Sequence, residues 1–132
     1  GRGFGKKLLE VLEWEFKYSG QIEFLKSLAK DGIGGGELLN RPVLYDDLVE
    51  VYEAFFWIGA SRQFNDTGPQ PITLTDIVTY LNDQGIQDRD ERREFQRLIR
   101  ALDVRFIKLS HEKMAKERER LSHKASSRKA KK

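Results

Sequence analysis

Four carboxylates in eight positions, Asp46, Asp47, Glu50 and Glu53, form the densest set of residues in this chain with a capacity for chemistry. Asp46, Glu50 and Glu53 stand four and three apart, so a helix puts all three on one face. Carboxylates grouped in this way bind divalent cations or divide acid and base roles between them. A solvated face opposite Leu44, Leu48 and Tyr52 explains the same pattern without a ligand, and that is the reading adopted. The two histidines, His111 and His123, have no second histidine or carboxylate cage at metal-ligand spacing, although Glu112 adjoins His111. Residues 31–36 hold four glycines in six positions but lack the Lys-Ser/Thr of a phosphate loop, and no strand precedes them. Ser61 and Ser110 carry no nucleophile signature. The absence of cysteine excludes disulfides, thiolate catalysis and thiolate zinc sites. The expectation is a chain that is not an enzyme and that takes no cofactor and no metal.

Charge is divided between the two ends of the 132 residues. Residues 111–132 carry nine Lys or Arg against three Glu, a net of +6, while residues 1–110 carry fifteen basic and eighteen acidic groups, a net of −3. The overall +3 therefore belongs to a tail, and it does not imply a nucleic-acid-binding body. No apolar run approaches the ~20 residues that cross a bilayer, and no signal-peptide pattern opens the chain. A soluble, cytoplasmic protein with no membrane partner is expected.

The elements that must position these residues are helical. Leu8, Leu9, Leu12 and Phe16 follow one helical face, and with Ile22, Phe24, Leu25 and Leu28 they predict a helix over residues 6–29, kinked or split at Ser19-Gly20. Residues 31–36 read as a flexible connector. A second helix is expected after Arg41-Pro42, running through Leu48, Val51, Tyr52 and Phe55 to about Phe64. Phe55-Phe56-Trp57-Ile58 cannot all face one way, so that helix is buried on more than one side or meets a partner. Residues 65–71 read as a loop. Thr73, with Asp76 three positions on, predicts an N-cap; Gly85 predicts a left-handed stop; Asp88 with Glu91 predicts the next cap. The last helix bears Phe95, Leu98, Ile99, Leu102, Phe106 and Leu109 on one stripe. It is expected to run on as a solvated rod to about Leu121, leaving residues 122–132 as a disordered basic tail. Only residues 43–45 and 71–74 have any strand character. The fold class is all-α, four to five helices in a small bundle, with residues 1–121 as a single domain.

Residues 73–109 have the outline of a helix-turn-helix, and Arg89, Arg92, Arg93, Arg97 and Arg100 lie near the start of its second helix. Interleaved Asp88, Asp90, Glu91, Glu94 and Asp103 bring the segment close to neutral and favour intrahelical ion pairing. Lys124, Arg128, Lys129, Lys131 and Lys132 of the tail can contact phosphates without reading sequence, or serve only as a solubilising end. A nucleic-acid-binding module built from these arginines and this tail is the alternative reading.

The segment Pro71-Ile72-Thr73-Leu74-Thr75-Asp76-Ile77-Val78-Thr79-Tyr80-Leu81, followed by Gly85-Ile86-Gln87-Asp88, Phe95, Leu98-Ile99 and Leu102-Asp103, resembles small helical proteins of tailed bacteriophages, of the tail-assembly chaperone or accessory type. In those proteins an aromatic helix precedes a proline-containing loop, a short helix, a Gly-hydrophobic-acidic turn and a longer helix. Residues 50–62, with Phe55-Phe56-Trp57, fit the first element, and the resemblance extends over about residues 45–109. It implies a non-catalytic role, shielding segments of a tail subunit until assembly, in the host cytoplasm or with retention in the virion. The partner is then a protein, a phage tail subunit, engaged through Tyr52, Phe56 and Trp57. The competing view is that the aromatic run forms the chain's own core, which suits Phe55 and Phe56 best and leaves Trp57 evenly placed.

Overall fold

The computed structural model describes residues 2–34 and 36–130. The first apolar stripe yields α1 (Arg2–Tyr18), which ends in a 3₁₀ turn at Ser19–Gln21 before α2 (Ile22–Lys30), so the Ser19-Gly20 signal splits the helix. The glycine segment begins by closing α2, with the Ile33 N–H donating to the Leu28 carbonyl at 3.0 Å. A four-residue turn of helix, α3 (Gly36–Leu39), follows. The chain then runs into α4 (Asp46–Gly59), a two-residue strand pair β1 (Phe64–Asn65) and β2 (Gly68–Pro69), α5 (Leu74–Asp83) and α6 (Arg89–Ala130). The all-α expectation holds, with five helices of nine residues or more among the described residues.

α6 is the spine. Its apolar stripe packs against α1 and α4 and receives β2. Leu8 and Leu12 of α1, Leu48, Ala54, Phe55 and Ile58 of α4, Ile77 and Leu81 of α5, and Phe95, Leu98, Ile99 and Leu102 of α6 close into one core with Ile72. The joints between α5 and α6 follow local chemistry. Thr73 Oγ1 accepts the Asp76 N–H at 3.1 Å and Asp88 Oδ2 accepts the Glu91 N–H at 2.9 Å. Gly85 sits at φ +70°, and the Ile86 N–H donates to the Leu81 carbonyl at 3.0 Å, the bond pattern of a left-handed helix stop.

Three sequence expectations are corrected. α4 starts at Asp46 and ends at Gly59, later and earlier than the pattern suggested, because Pro42 lies in an extended run and Arg62 turns inward. Where a loop was expected over residues 65–71, residues 64–69 form an antiparallel ribbon with Phe64 opposite Pro69 and Asn65 opposite Gly68. Its turn is held by Asn65 Oδ1, which accepts from the Thr67 N–H at 2.9 Å and its hydroxyl at 2.6 Å. Finally, α6 continues past Leu121 to Ala130, where a disordered tail was expected. Residues 104–130 contain no glycine or proline and are rich in Glu, Lys, Arg, Ala and Leu, all strong helix formers. At 42 residues α6 is about 63 Å long, and residues 115–128 are exposed. Among the described residues no helix is long and apolar enough to cross a membrane.

Candidate functional site

α4 carries its aromatic residues on two separate surfaces. Phe55 is buried in the core. Tyr52 and Phe56, four apart, share the side that faces α1, with their rings T-shaped at 5.1 Å. They line a cleft with Leu12, Phe16 and Phe106, and Arg41 and Glu15 stand at its rim. Burial, reinforced by Glu15 and opposed by Arg41, pushes the Tyr52 phenol up to about 12. Trp57 is turned about 100° from Phe56 around the helix. It is 74% exposed, against 45% for Phe56. Trp57 lines a second hollow with Asp76, Tyr80 and Asp83 of α5. The structure therefore joins Tyr52 to Phe56 and sets Trp57 apart from both.

What fixes α4 is a buried ion pair that the sequence reading did not anticipate. Arg62 Nη1 donates to Asp103 Oδ1 at 2.6 Å, with the two side chains 3% and 7% exposed. The same Nη1 donates to the Gln70 carbonyl at 2.9 Å, and Asp103 Oδ2 accepts the Ile72 N–H at 2.9 Å. The guanidinium lies 4.6 Å from the Phe106 ring centroid and 5.7 Å from that of Phe55. Arg62 Nη1 and both carboxylate oxygens of Asp103 are thus hydrogen-bonded, and the segments following α4 and the ribbon meet α6 at one point. The sequence signal was present: Asp103 falls between Ile99 and Phe106, a carboxylate placed on an otherwise apolar stripe, which requires a buried partner.

The carboxylate face of α4 borders a groove of about 440 Å³ between α4, α5 and α6. Asp47, Glu50, Glu91 and Glu94 wall it, and Val51, Phe95 and Leu98 form its floor. Tyr80 stacks on Phe95 at 5.4 Å with 7° between the rings. Burial, then Glu50 and Glu53, raises the Tyr80 phenol above its ordinary value. Among the described residues no group of three His, Asp or Glu could hold a metal ion. His111 flanks Gly68 beside Met114, and His123 is exposed.

Of the arginines proposed for phosphate contact, Arg89, Arg93 and Arg97 fall on one exposed face of α6, joined by Arg100. Arg92 is turned away: Nη1 donates to the Ile86 carbonyl at 2.6 Å and Nη2 to Asn82 Oδ1 at 3.2 Å, which ties down the α5–α6 turn. Arg97 pairs with Glu94 at 2.6 Å, and that contact holds the Glu94 carboxyl below its ordinary value. Lys124 and Arg128 are exposed on the far end of α6. The Lys129 side chain, Lys131 and Lys132 lie outside the described residues.

No curated protein and no solved structure matches this chain. A family model does, the one described as phage tail assembly chaperone, over residues 29–108. That span takes in α3, α4, the Arg62–Asp103 cluster, the ribbon, α5 and the core-forming part of α6. With more than half of its length matched, the chain belongs to the phage tail assembly chaperone family.

Proposed function

We propose that this chain binds a phage tail subunit before assembly, keeps its apolar segments covered, and makes that contact through the surface around Trp57. The observation that carries the reading is the 74% exposure of Trp57 on a helix whose Ala54, Phe55 and Ile58 are buried. Large, rigid aromatic side chains left uncovered are the anchors that protein interfaces use. The Tyr52–Phe56 cleft is a second contact on another side of α4, toward α1. Family membership supports the assembly role, and a non-catalytic one. The site of action is the host cytoplasm, during tail construction.

The test is co-expression with each structural tail subunit of the phage. A subunit that is insoluble alone should become soluble and co-purify with the chain. Trp57→Ala should reduce that recovery while leaving the helical circular dichroism intact. If Trp57→Ala is without effect and Phe56→Ala abolishes recovery, the contact lies in the cleft instead.

One observation favours nucleic acid as a second ligand: the shared exposed face of Arg89, Arg93, Arg97 and Arg100. Binding of duplex DNA across a salt series, by the full chain and by a chain ending at Leu121, decides it. Steeply salt-dependent binding retained by the shorter chain assigns the contact to the arginine face. Binding confined to the full chain assigns it to the basic end.

A further inference from the structure

We infer that the partner segment received on the Trp57 side of α4 is cationic as well as apolar, a stretch in which lysine or arginine alternates with large aliphatic side chains. This rests on the reading that α4 is the partner-binding helix, and adds the chemistry of what it binds.

The argument begins with continuity. Tyr80 lines both the groove of about 440 Å³ and the hollow of about 230 Å³ that contains Trp57, so the two are neighbouring parts of one surface. Its apolar floor runs from Trp57 over Tyr80 and Phe95 to Leu98. Its rim is of one sign. Asp47, Glu50, Glu91 and Glu94 border one part and Asp76 and Asp83 the other, and no lysine or arginine lines either among the described residues. Glu94 is paired with Arg97. Among the described residues Asp47, Glu50, Glu91, Asp76 and Asp83 take part in no ion pair. Five unpaired carboxylates around an aromatic floor attract cations and repel an acidic segment, which is how interfaces reject wrong partners.

The chain's own basic stretch does not fill this surface. Lys124 stands 33 residues beyond Glu91 on the same continuous helix, about 50 Å away. In a second copy that stretch has the right charge, but Leu121 is its single large aliphatic residue after Met114. It lacks the apolar ridge that the floor calls for. A partner chain supplying both features is the better fit.

The test uses the full chain and three fluorescein-labelled peptides: an 18-residue sequence with leucine at helical spacing and lysine elsewhere, its counterpart with glutamate for lysine, and residues 111–132 of this protein. Anisotropy should show saturable binding of the lysine peptide, weakened by salt, and none of the glutamate peptide. A variant with Asp47→Asn, Glu50→Gln and Glu91→Gln should bind the lysine peptide about tenfold less tightly, given a modest contribution from each exposed charge. Its thermal unfolding should fall only slightly, because none of the three is paired and the loss is confined to the first-turn charges of Asp47 and Glu91. Equal binding of the lysine peptide by this variant overturns the inference, and so does equal binding of the glutamate peptide. Tighter binding of the 111–132 peptide than of the lysine peptide overturns it in favour of a second copy. Peptide binding as expected, with no tail subunit solubilised in co-expression, would remove the assembly partner and keep the cationic specificity. A tail subunit whose recovery depends on Trp57 but not on the three carboxylates would do the reverse.

Discussion

Asp103→Asn breaks the buried ion pair while keeping the size of the side chain. The amide keeps an oxygen to accept the Ile72 N–H, now 2.9 Å from Oδ2, but it removes the negative charge opposite Arg62 and turns an NH2 donor toward the Nη1 donor. Arg62, 3% exposed, is left with the Gln70 carbonyl and two aromatic faces as its only company. Breaking a buried pair in this way costs about 3–5 kcal/mol, because an uncompensated charge stays inside. A domain of this size has about 5–15 kcal/mol in all, so the loss is a large share. With a urea m-value of about 2 kcal/mol per molar, the unfolding midpoint falls by about 1.5–2.5 M. Arg62→Met should cost a similar amount, since it strands the carboxylate instead. The combined variant Arg62→Met, Asp103→Asn contains no buried charge and still has an acceptor for Ile72. It should therefore be more stable than either single variant, by about 1 kcal/mol or more, where independent effects would make it the least stable of the three. Urea unfolding followed by far-ultraviolet circular dichroism gives all four midpoints. Additive losses, or a single-variant cost below about 1 kcal/mol, would show that the cluster is solvated in solution and that the reasoning from its burial fails.

Gly68 sits at φ +117°, and an added Cβ would lie 2.8 Å from Met114 Sδ, so Gly68→Ala should lower stability by about 1–3 kcal/mol. Adding Met114→Ala should recover only part of that, since the backbone strain remains; thermal unfolding of both variants checks this. Folded Tyr52 keeps its proton to about pH 12, while an unfolded tyrosine releases it near the ordinary 10. Its contribution to stability is thus complete below about pH 10 and disappears as pH climbs toward 12. Urea midpoints across that range should fall less steeply in Tyr52→Phe. Ending the chain at Leu121 removes helix whose described side chains are exposed, so the midpoint should stay put while the total helical signal drops.

Much of the fold was legible where its causes are local. The Thr73 and Asp88 caps and the Gly85 stop depend on hydrogen bonds within a few residues, so residue type and spacing sufficed. The ribbon was not legible, because strands of two residues have no periodicity and this one exists where Gly68 fits against Met114, 46 residues away. α4 ends earlier than its apolar run suggests for a similar reason: Arg62, just past the helix, reaches Asp103, 41 residues on. The far end of α6 shows a different confusion. High charge points to disorder, but the same residues are good helix formers, and Glu117 and Arg120 pair along the helix. For the site, the excess of aromatic residues in α4 was visible in the sequence. Their division into a cleft and an exposed face was not, since that depends on which sides α1, α5 and α6 cover.

In the proposed function, the separation of the Arg62–Asp103 cluster from Trp57 is what leaves the indole free for a partner. Leaving an indole uncovered forgoes about 1.5–3 kcal/mol of burial energy. The fold can tolerate that because α4 is held by contacts in which Trp57 takes no part: Phe55 and Ile58 in the core, and the ion pair just past its C-terminal end. A truncated exposed side chain away from such contacts changes stability by no more than about 0.5 kcal/mol. Trp57→Ala should therefore leave unfolding almost unchanged and weaken capture of the partner. Asp103→Asn should do the opposite under conditions where the chain remains folded, lowering stability while keeping the exposed face. If both substitutions moved stability and capture together, the indole would be part of what holds α4 in place, and the uncovered face would not be a surface reserved for another chain.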